Sequence, residues 1–390
     1  MERDIYHPPT IDELQAENEL ATLVATAYQT LTNVSFWFNF VHEDASDAIS
    51  DCQKANGWNS SRIYRNSSHE ITAWDTKFPM SILWYTVYNG IDRTNYSLML
   101  LNQLDSNQMV MEYIAECKVI RAWWYLQGMD TYGDMPIFTN PRHYTNGLPK
   151  RTPRSEVFNF VENELKWSLE RLPSGMDPNR FPRINKESVR AILATLYLNA
   201  EVYTGKSRWN DCISQCDAIL EADGYSLSTD YFNLFSVNNH EQYPEMLFYI
   251  DYNAAESTGG SVGWVRASLV QEWVDEYYPE LPYTVWNGTS AEPSFYRKYD
   301  TTDIRYTNGF LEGVQYTRNG DTLRDENGYI IDHKVDFYLL MSDVPATDSV
   351  YRGLYEGVRI LKWEPDITAI DSESNNGFPV IRLADIMLQK

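Results

Sequence analysis

The stretch NKESVRAILATLYLNAEVYT, residues 185–204, has the clearest helical pattern in the chain. Its inward positions recur at spacings of three and four: Val189, Leu193, Leu196, Tyr197 and Ala200. A second helix begins at Trp209 and runs to about 222. Because only a few residues connect the two helices, we expect them to pair antiparallel. The alternation of small and large residues is typical of tetratricopeptide hairpins, although the repeat is degenerate.

Helical patterns also precede this hairpin. They cover residues 10–32, 80–102, 106–131 and 154–172. Thr10 and Ser155 are the expected N-caps of the first and last of these helices. Segment 33–80 is different, because it is rich in Asn, Ser, Asp and aromatic residues and has weak periodicity. We expect it to be a long loop with a functional role.

The pattern changes after about residue 225. We expect a short strand at Met246–Ile250, a helix within ASLVQEWVDEYY (267–278) and a last helix in VIRLADIMLQ (380–389). Loops and short hairpins are expected over 281–356. Three Asn-Gly pairs mark turns there: 308–309, 319–320 and 327–328.

The predicted fold is therefore mainly α. Region 1–225 would consist of tetratricopeptide-like helical hairpins with the long loop inserted at 33–80. Region 226–390 would be a loop-rich second part with short β-hairpins.

Charge and aromatic content limit the function. The 390 residues carry a formal net charge of −23, which disfavours binding to nucleic acids and to anionic membrane surfaces. The chain contains 28 Tyr and 12 Trp. A buried Tyr or Trp needs a partner for its polar tip, so such an excess suits a surface that stacks on sugar rings.

The sequence contains no motif of an enzyme or a metal site. Carboxylate pairs are expected by chance among 55 acidic residues, and GxSxG, Walker and GxGxxG motifs are absent. The six His are scattered, and the four Cys fit small buried thiols better than a metal site: Cys52, Cys117, Cys212 and Cys216. No run of 18 apolar residues occurs. We expect a protein that is not an enzyme and needs no cofactor.

Several blocks occur in an order typical of one family. LWYTVYNGIDRTNYSL (83–98) carries Trp84, Tyr88, Ile91 and Asn95. ECKVIRAWWYLQGMDTYGDMPIF (116–138) leads into a Tyr-Gly-Asp-x-Pro block, and PVIRLADIML (379–388) closes the series. In this order the blocks resemble the SusD/RagB family of Bacteroidetes outer-membrane lipoproteins.

The resemblance implies an α/α superhelix held at the cell surface by a lipidated N-terminal Cys in the outer membrane. It also implies a SusC-like TonB-dependent transporter as partner, with this protein as its lid. Members of the family normally continue past the closing block, so the last helices of the family fold are expected to be missing after Lys390. The resemblance makes Arg121 structural, holding a helix-end carbonyl or a carboxylate.

We expect ligand-binding residues in the loops rather than on the helices. The aromatic residues Trp84, Tyr88, Trp167, Tyr197 and Trp209 are predicted to face inward. The predicted ligand-binding residues are Trp58, Arg62, Tyr64 and Trp74 in the long polar segment, with Trp264, Trp286 and Tyr296 as an opposite wall. Aromatic rings beside amide and guanidinium groups suit sugars with vicinal hydroxyls.

The predicted function is capture of an oligosaccharide or polysaccharide and its delivery to the transporter. Two alternatives remain open at this point. The same fold could bind a peptide or glycoprotein, as the RagB members of the family imply. It could also be a scaffold that only contacts the transporter.

Overall fold

The computed structural model describes residues 17–32, 51–53, 80–141, 149–255, 265–266, 268–287, 289–336, 355–370 and 373–390. Within these ranges the chain is mainly α-helical with short two-stranded pairings, so the predicted fold class is confirmed. None of the helices in these ranges combines the length and the apolar content needed to cross a bilayer.

The helices of the first half lie where the periodicity predicts them. Their bounds are α1, Glu17–Thr32; α2, Met80–Leu101; α3, Gln108–Tyr132; α4, Arg154–Leu169; α5, Lys186–Leu198; α6, Ala200–Thr204; and α7, Trp209–Leu220. Helix α3 packs against α1, α2 and α4, and α5 packs against α7. The pairing of α5 with α7, which the short connection predicts, is confirmed. Thr10, the expected first N-cap, lies outside the described residues.

The second half has shorter elements. Its helices are α8, Gln271–Tyr277; α9, Pro293–Tyr296; α10, Ile304–Asn308; and α11, Leu383–Gln389. The strands pair antiparallel: β1 (Asp51–Gln53) with β3 (Thr289–Ala291), β2 (Met246–Ile250) with β8 (Phe378–Arg382), β4 (Phe310–Leu311) with β7 (Arg359–Ile360), and β5 (Gly313–Val314) with β6 (Asp332–His333). The predicted strand at 246–250 is confirmed.

Helix α3 is the central element of the first half. Its buried residues occur all around the helix rather than on one stripe, because α1, α2 and α4 enclose it. Trp124 is fully buried, and its indole N–H donates to Thr30 Oγ1 of α1 at 2.9 Å. The aromatic run of this helix therefore belongs to the core.

A buried ionic network joins α2, α3 and α4. Arg121 Nε donates to Glu164 Oε2 at 2.9 Å, and Arg121 Nη1 donates to Asn95 Oδ1 at 2.8 Å. Lys118 Nζ lies 2.5 Å from the other oxygen of Glu164. The structural role expected for Arg121 is confirmed, and its partner is a carboxylate.

The Tyr-Gly-Asp-x-Pro block links the end of α3 to the start of α4. Gly133 has φ 74 and ends α3, a left-handed conformation that glycine adopts without steric cost. Asp134 Oδ1 accepts a hydrogen bond from the Arg154 backbone N–H at 2.8 Å. The prediction that Ser155 caps α4 is wrong, because Pro153 occupies the cap position and Ser155 lies inside the first turn. Pro153 makes no side-chain hydrogen bond to the start of α4, so Asp134 supplies that acceptor instead.

The helix predicted at 185–204 is interrupted once. Asn199 has ψ 6 and separates α5 from α6, and its side-chain amide donates to the Thr195 carbonyl at 3.0 Å. At the start of α5, Asn185 accepts from the Ser188 backbone N–H and the Ser188 hydroxyl accepts from Asn185 N–H. This reciprocal cap fixes where the helix begins.

Among the aromatic residues predicted to face inward, Trp209 is the exception. Tyr197 is buried, and Trp84, Tyr88 and Trp167 pack partly buried against the first core. Trp209, however, is 58% exposed, so that prediction is wrong. The inward face of α7 is formed by other residues: Cys212, Cys216 and Ile219. The thiols of Cys117, Cys212 and Cys216 are buried and free, as expected.

Two of the three Asn-Gly pairs form hairpin turns. Gly320, with φ 89, lies in the turn between the paired residues Tyr316 and Thr322. Gly328, with φ 85, lies in the turn between the paired residues Arg324 and Ile330. The prediction for Asn308-Gly309 is wrong, because Asn308 ends α10 and the Gly309 N–H donates to the carbonyl of Arg305. Helix geometry replaces the hairpin turn at this position.

The hydrophobic core crosses the predicted boundary at residue 225. The first cluster contains the helices of the first half together with residues of β2, β8 and α11, such as Phe248, Ile381 and Ile386. A second cluster lies mainly around Trp273 of α8 and includes Leu323 and Ile331 of the hairpins. The first hydrophobic cluster therefore contains residues from both predicted regions, 1–225 and 226–390, and the β2–β8 pair contributes to it.

The buried network gives the first stability prediction. Glu164→Gln removes the charge that balances Arg121, whose side chain is 6% exposed. We expect the free energy of unfolding to fall by about 3 kcal/mol, because a buried guanidinium would lose its counter-charge. Urea denaturation measures this. Asp336→Asn is the matched control, since it breaks the exposed Arg297–Asp336 pair and should leave the midpoint unchanged. Equal midpoints for both variants would contradict the assigned role.

A glycine on α2 gives the second prediction. A Cβ on Gly90 would lie 2.3 Å from the ring of Trp124, which is fully buried. Gly90→Ala should lower the free energy of unfolding by about 1–3 kcal/mol, because overpacking outweighs the gain in helix propensity. Thermal unfolding followed by circular dichroism measures this effect. A melting temperature above that of the parent protein would show that α2 and α3 can move apart at little cost.

Candidate functional site

Two of the seven predicted ligand-binding residues, Trp286 and Tyr296, lie in the described part of the chain. The other five lie outside the described residues: Trp58, Arg62, Tyr64, Trp74 and Trp264. The site is therefore built below from Trp286 and the residues around it.

Tyr296 packs as a core residue. It is 4% exposed, its ring stacks on Tyr306 with centroids 5.2 Å apart, and its hydroxyl donates to Glu312 at 2.8 Å. Burial raises the pKa of Tyr296, as do its hydrogen bonds with Tyr306 and Glu312. Because the ring is enclosed on α9, we leave Tyr296 out of the candidate site.

Trp286 is held in place by backbone hydrogen bonds between two segments. The Trp286 N–H donates to the Arg266 carbonyl at 2.5 Å, and the Asn287 N–H donates to the Leu269 carbonyl at 3.1 Å. Arg266 Nε in turn donates to the Thr284 carbonyl at 2.9 Å. These bonds join the segments before and after α8, so the backbone that carries the indole is held in place.

The guanidinium of Arg266 covers part of this aromatic surface. It lies 4.4 Å from the ring centroid of Trp286 and 5.8 Å from that of Tyr283. Burial lowers the pKa of Arg266, and the nearby Tyr283 opposes that effect. We call these three residues, Tyr283, Arg266 and Trp286, the Arg266–Trp286 platform.

The residue after Trp286 anchors the platform to the interior. Asn287 has φ 52, a left-handed conformation that Asn tolerates better than most residues. Its side-chain oxygen accepts a hydrogen bond from Arg359, which is fully buried on β7 and also donates to Ser290 of β3. Burial lowers the pKa of Arg359. The Trp286 segment is thus tied to the β3–β7 region.

The chemistry of the platform is that of binding. An indole ring presents an apolar face, and a guanidinium presents several N–H donors in a fixed plane. A sugar offers the complementary groups, since its C–H face can stack and its vicinal hydroxyls can accept hydrogen bonds. In the described part of the chain, no cluster of three or more His, Cys, Asp or Glu residues is placed to hold a metal ion.

Sequence reasoning named Trp286 as a candidate but did not name Arg266, whose guanidinium lies over its ring, or Tyr283, which contacts Arg266. A sequence signal existed for Arg266, since it lies two residues after Trp264 in a loop already predicted to bind ligand. Tyr283 carried no such signal, because its contact with Arg266 depends on how the two loops approach each other.

The structure also contains a cavity of about 490 Å³. It lies between α1 and the end of β2, and its walls include Tyr28, Tyr113, Arg183 and Tyr249. Two of its polar groups are already engaged: Arg183 pairs with Glu116, whose carboxylate also accepts from the Tyr28 hydroxyl at 2.7 Å. These bonds connect α1, α3 and the 183–184 turn, so the groups are structural.

Comparison with known proteins identifies a family. A profile of SusD-like proteins, described as "Starch-binding associating with outer membrane", matches residues 2–198, just over half of the chain. The starch-binding protein SusD of Bacteroides thetaiotaomicron is 29% identical over 162 residues, which cover 40% of this chain. The chain spans 28% of the length of that relative.

Solved structures show the same fold. A SusD superfamily protein from Parabacteroides distasonis has a TM-score of 0.70 at 17% identity, covering 96% of this chain and 75% of that protein. A laminarin-binding SusD-like protein has a TM-score of 0.67 at 20% identity, covering 96% of this chain and 79% of that protein. Together, the profile match and the shared architecture show that this chain belongs to the SusD-like family.

Proposed function

We propose that this protein captures an oligosaccharide or polysaccharide without chemically altering it. The observation that carries the proposal is the Arg266 guanidinium, which lies over the Trp286 ring 4.4 Å from its centroid, since it brings hydrogen-bond donors and an aromatic ring together. The named relatives support it, because one is a starch-binding protein and another a laminarin-binding protein. The binding groups of the platform need no cofactor.

The location and the partner are part of the same proposal. The family description places its members with the outer membrane, which supports a lipid-anchored protein at the cell surface. There it would hand the captured glycan to a SusC-like TonB-dependent transporter. The net charge of −23 fits a protein that does not adhere to an anionic membrane surface.

Moderate affinity suits this role. One aromatic stack contributes about 1–3 kcal/mol, by analogy with bases stacked on aromatic side chains. Two or three such stacks with their hydrogen bonds correspond to dissociation constants of about micromolar to millimolar. A protein that must release its cargo to a transporter needs binding of this strength.

Affinity electrophoresis against plant, host and microbial polysaccharides tests the proposal. The protein should be retarded by one class of polysaccharide, and Trp286→Ala should weaken that binding about tenfold or more, because the stacking face is lost. Trp286→Phe is the matched control, since it keeps an aromatic face and should bind within about threefold of the parent. Unretarded migration in every gel would sink the proposal and favour peptide cargo or a scaffold role.

Trp74 gives a second prediction about ligand binding. It stands in a polar stretch of the sequence, outside any apolar stripe. Trp74→Ala should weaken glycan binding about tenfold or more and leave the melting temperature nearly unchanged. Parallel measurements by electrophoresis and thermal unfolding check this. A large drop in the melting temperature would instead assign Trp74 to the core.

A further inference from the structure

Strand β7 is hydrogen-bonded to both loops of the Arg266–Trp286 platform. On one side, the guanidinium of Arg359 donates to the side-chain oxygen of Asn287, which directly follows the platform tryptophan. On the other side, the Ile360 N–H donates to Ser268 Oγ at 2.8 Å, in the loop that carries the platform arginine. Two consecutive residues of one short strand thus reach both loops.

The strand itself is held by other parts of the fold. It pairs with β4, where Ile360 lies opposite Phe310. Val358, directly before the strand, is buried in a small cluster with Ala291 and Tyr296, and its carbonyl accepts from the Ala291 N–H at 2.9 Å. Because β4 and this cluster hold the strand, its bonds to the two platform loops set where those loops lie.

Arg359 is buried in a way that leaves it no direct contact with a ligand at the surface. Its side chain is fully buried, and burying a guanidinium is costly unless its N–H groups are hydrogen-bonded. Asn287 and Ser290 provide two of the acceptors, and both lie on the segment that follows Trp286. Any effect of this guanidinium on binding must therefore act through the residues that it holds.

The backbone of Asn287 needs the support that this bond gives. Its φ of 52 is the one positive value among the non-glycine residues that the structure describes. Side chains disfavour this left-handed conformation, although Asn tolerates it better than most. The bond from Arg359 offsets part of that cost and fixes the chain immediately after Trp286. Without the bond, the loop gains other backbone conformations, in which the indole no longer lies under the Arg266 guanidinium.

We infer that Arg359 is a positioning residue for glycan binding, because its hydrogen bond to Asn287 holds Trp286 in the arrangement that binds the sugar. This inference rests on the proposed function. Binding groups that are already in position raise affinity, since less conformational freedom is lost when the ligand binds. Arg359 thus contributes to affinity from the interior, without touching the glycan.

Asn287→Gly tests the inference, because glycine adopts φ 52 without steric cost and lacks the oxygen that Arg359 binds. It should weaken binding of the polysaccharide identified by the electrophoresis panel about fivefold. Gels of graded polysaccharide concentration give the dissociation constants. Asn287→Asp keeps an acceptor for the guanidinium and tolerates the same backbone, so it should bind within about twofold of the parent.

A double-variant cycle separates positioning from a merely structural role. If the bond acts through Trp286, Asn287→Gly should weaken binding less than about twofold in a Trp286→Ala background, because no indole is left to position. Asn185→Gly is the matched control, since it removes an asparagine side chain that caps α5 in the helical half. It should lower the melting temperature and leave the affinity unchanged. Thermal unfolding of every variant verifies that the fold is intact.

The outcomes separate the inference from the proposed function. If the parent protein binds no polysaccharide, or if Trp286→Ala binds as the parent does, the proposed site fails and this inference fails with it. If Trp286→Ala weakens binding but Asn287→Gly does not, the positioning role alone is refuted. An equal loss from Asn287→Gly in the Trp286→Ala background, or from Asn185→Gly, would also refute it, since binding would then follow general loosening of the fold. Weak binding by Asn287→Asp would show that the bond is not the cause.

Discussion

The buried ion pair between Arg121 and Glu164 is the constraint on which the helical half depends. A guanidinium removed from water must keep a carboxylate at a fixed distance, because an uncompensated buried charge is strongly destabilising. The pair fixes α3 against α4, and the hydrogen bond from Arg121 to Asn95 fixes α2 in the same place. The tyrosine hydroxyls of Tyr88 and Tyr125 then bond the chain at 136–138, which continues from α3.

Fixing α2 in this way decides which of its faces meets solvent. Its core face is enclosed by α1 and α3, and its flank is held by the bond from Tyr88 to the Pro136 carbonyl. The remaining face, with Tyr85 and Tyr96, is exposed to solvent. The platform is held by backbone bonds between its two loops, and such preorganisation lowers the entropy cost of ligand binding.

The sequence predicts those features that depend on local periodicity. Helices, the α5–α7 pairing and the strand at 246–250 follow from spacings within a few residues of one another, and the structure has them. The resemblance to the family predicts that Arg121 is structural and holds a carbonyl or a carboxylate. That this partner is Glu164 was not predictable, because 43 positions separate the two residues.

Features that depend on tertiary contacts were harder to predict. The sequence around Trp209 suggested a buried helix face, but its ring is exposed. The sequence around Tyr296 suggested an open loop, but its ring is buried in the core. In both cases exposure depends on which distant elements pack nearby. The prediction that Ser155 caps α4 was wrong for a related reason, because the acceptor at the start of α4 comes from Asp134, outside the helix. The pairing of Trp286 with Arg266 likewise depends on loop approach.

A crystal structure of the protein with a bound oligosaccharide tests the central claim most directly. The account predicts a sugar bound at the platform, in contact with the Trp286 ring and with a hydroxyl within hydrogen-bond distance of the Arg266 guanidinium. A well-ordered oligosaccharide bound elsewhere, with the Arg266–Trp286 platform untouched, would contradict it.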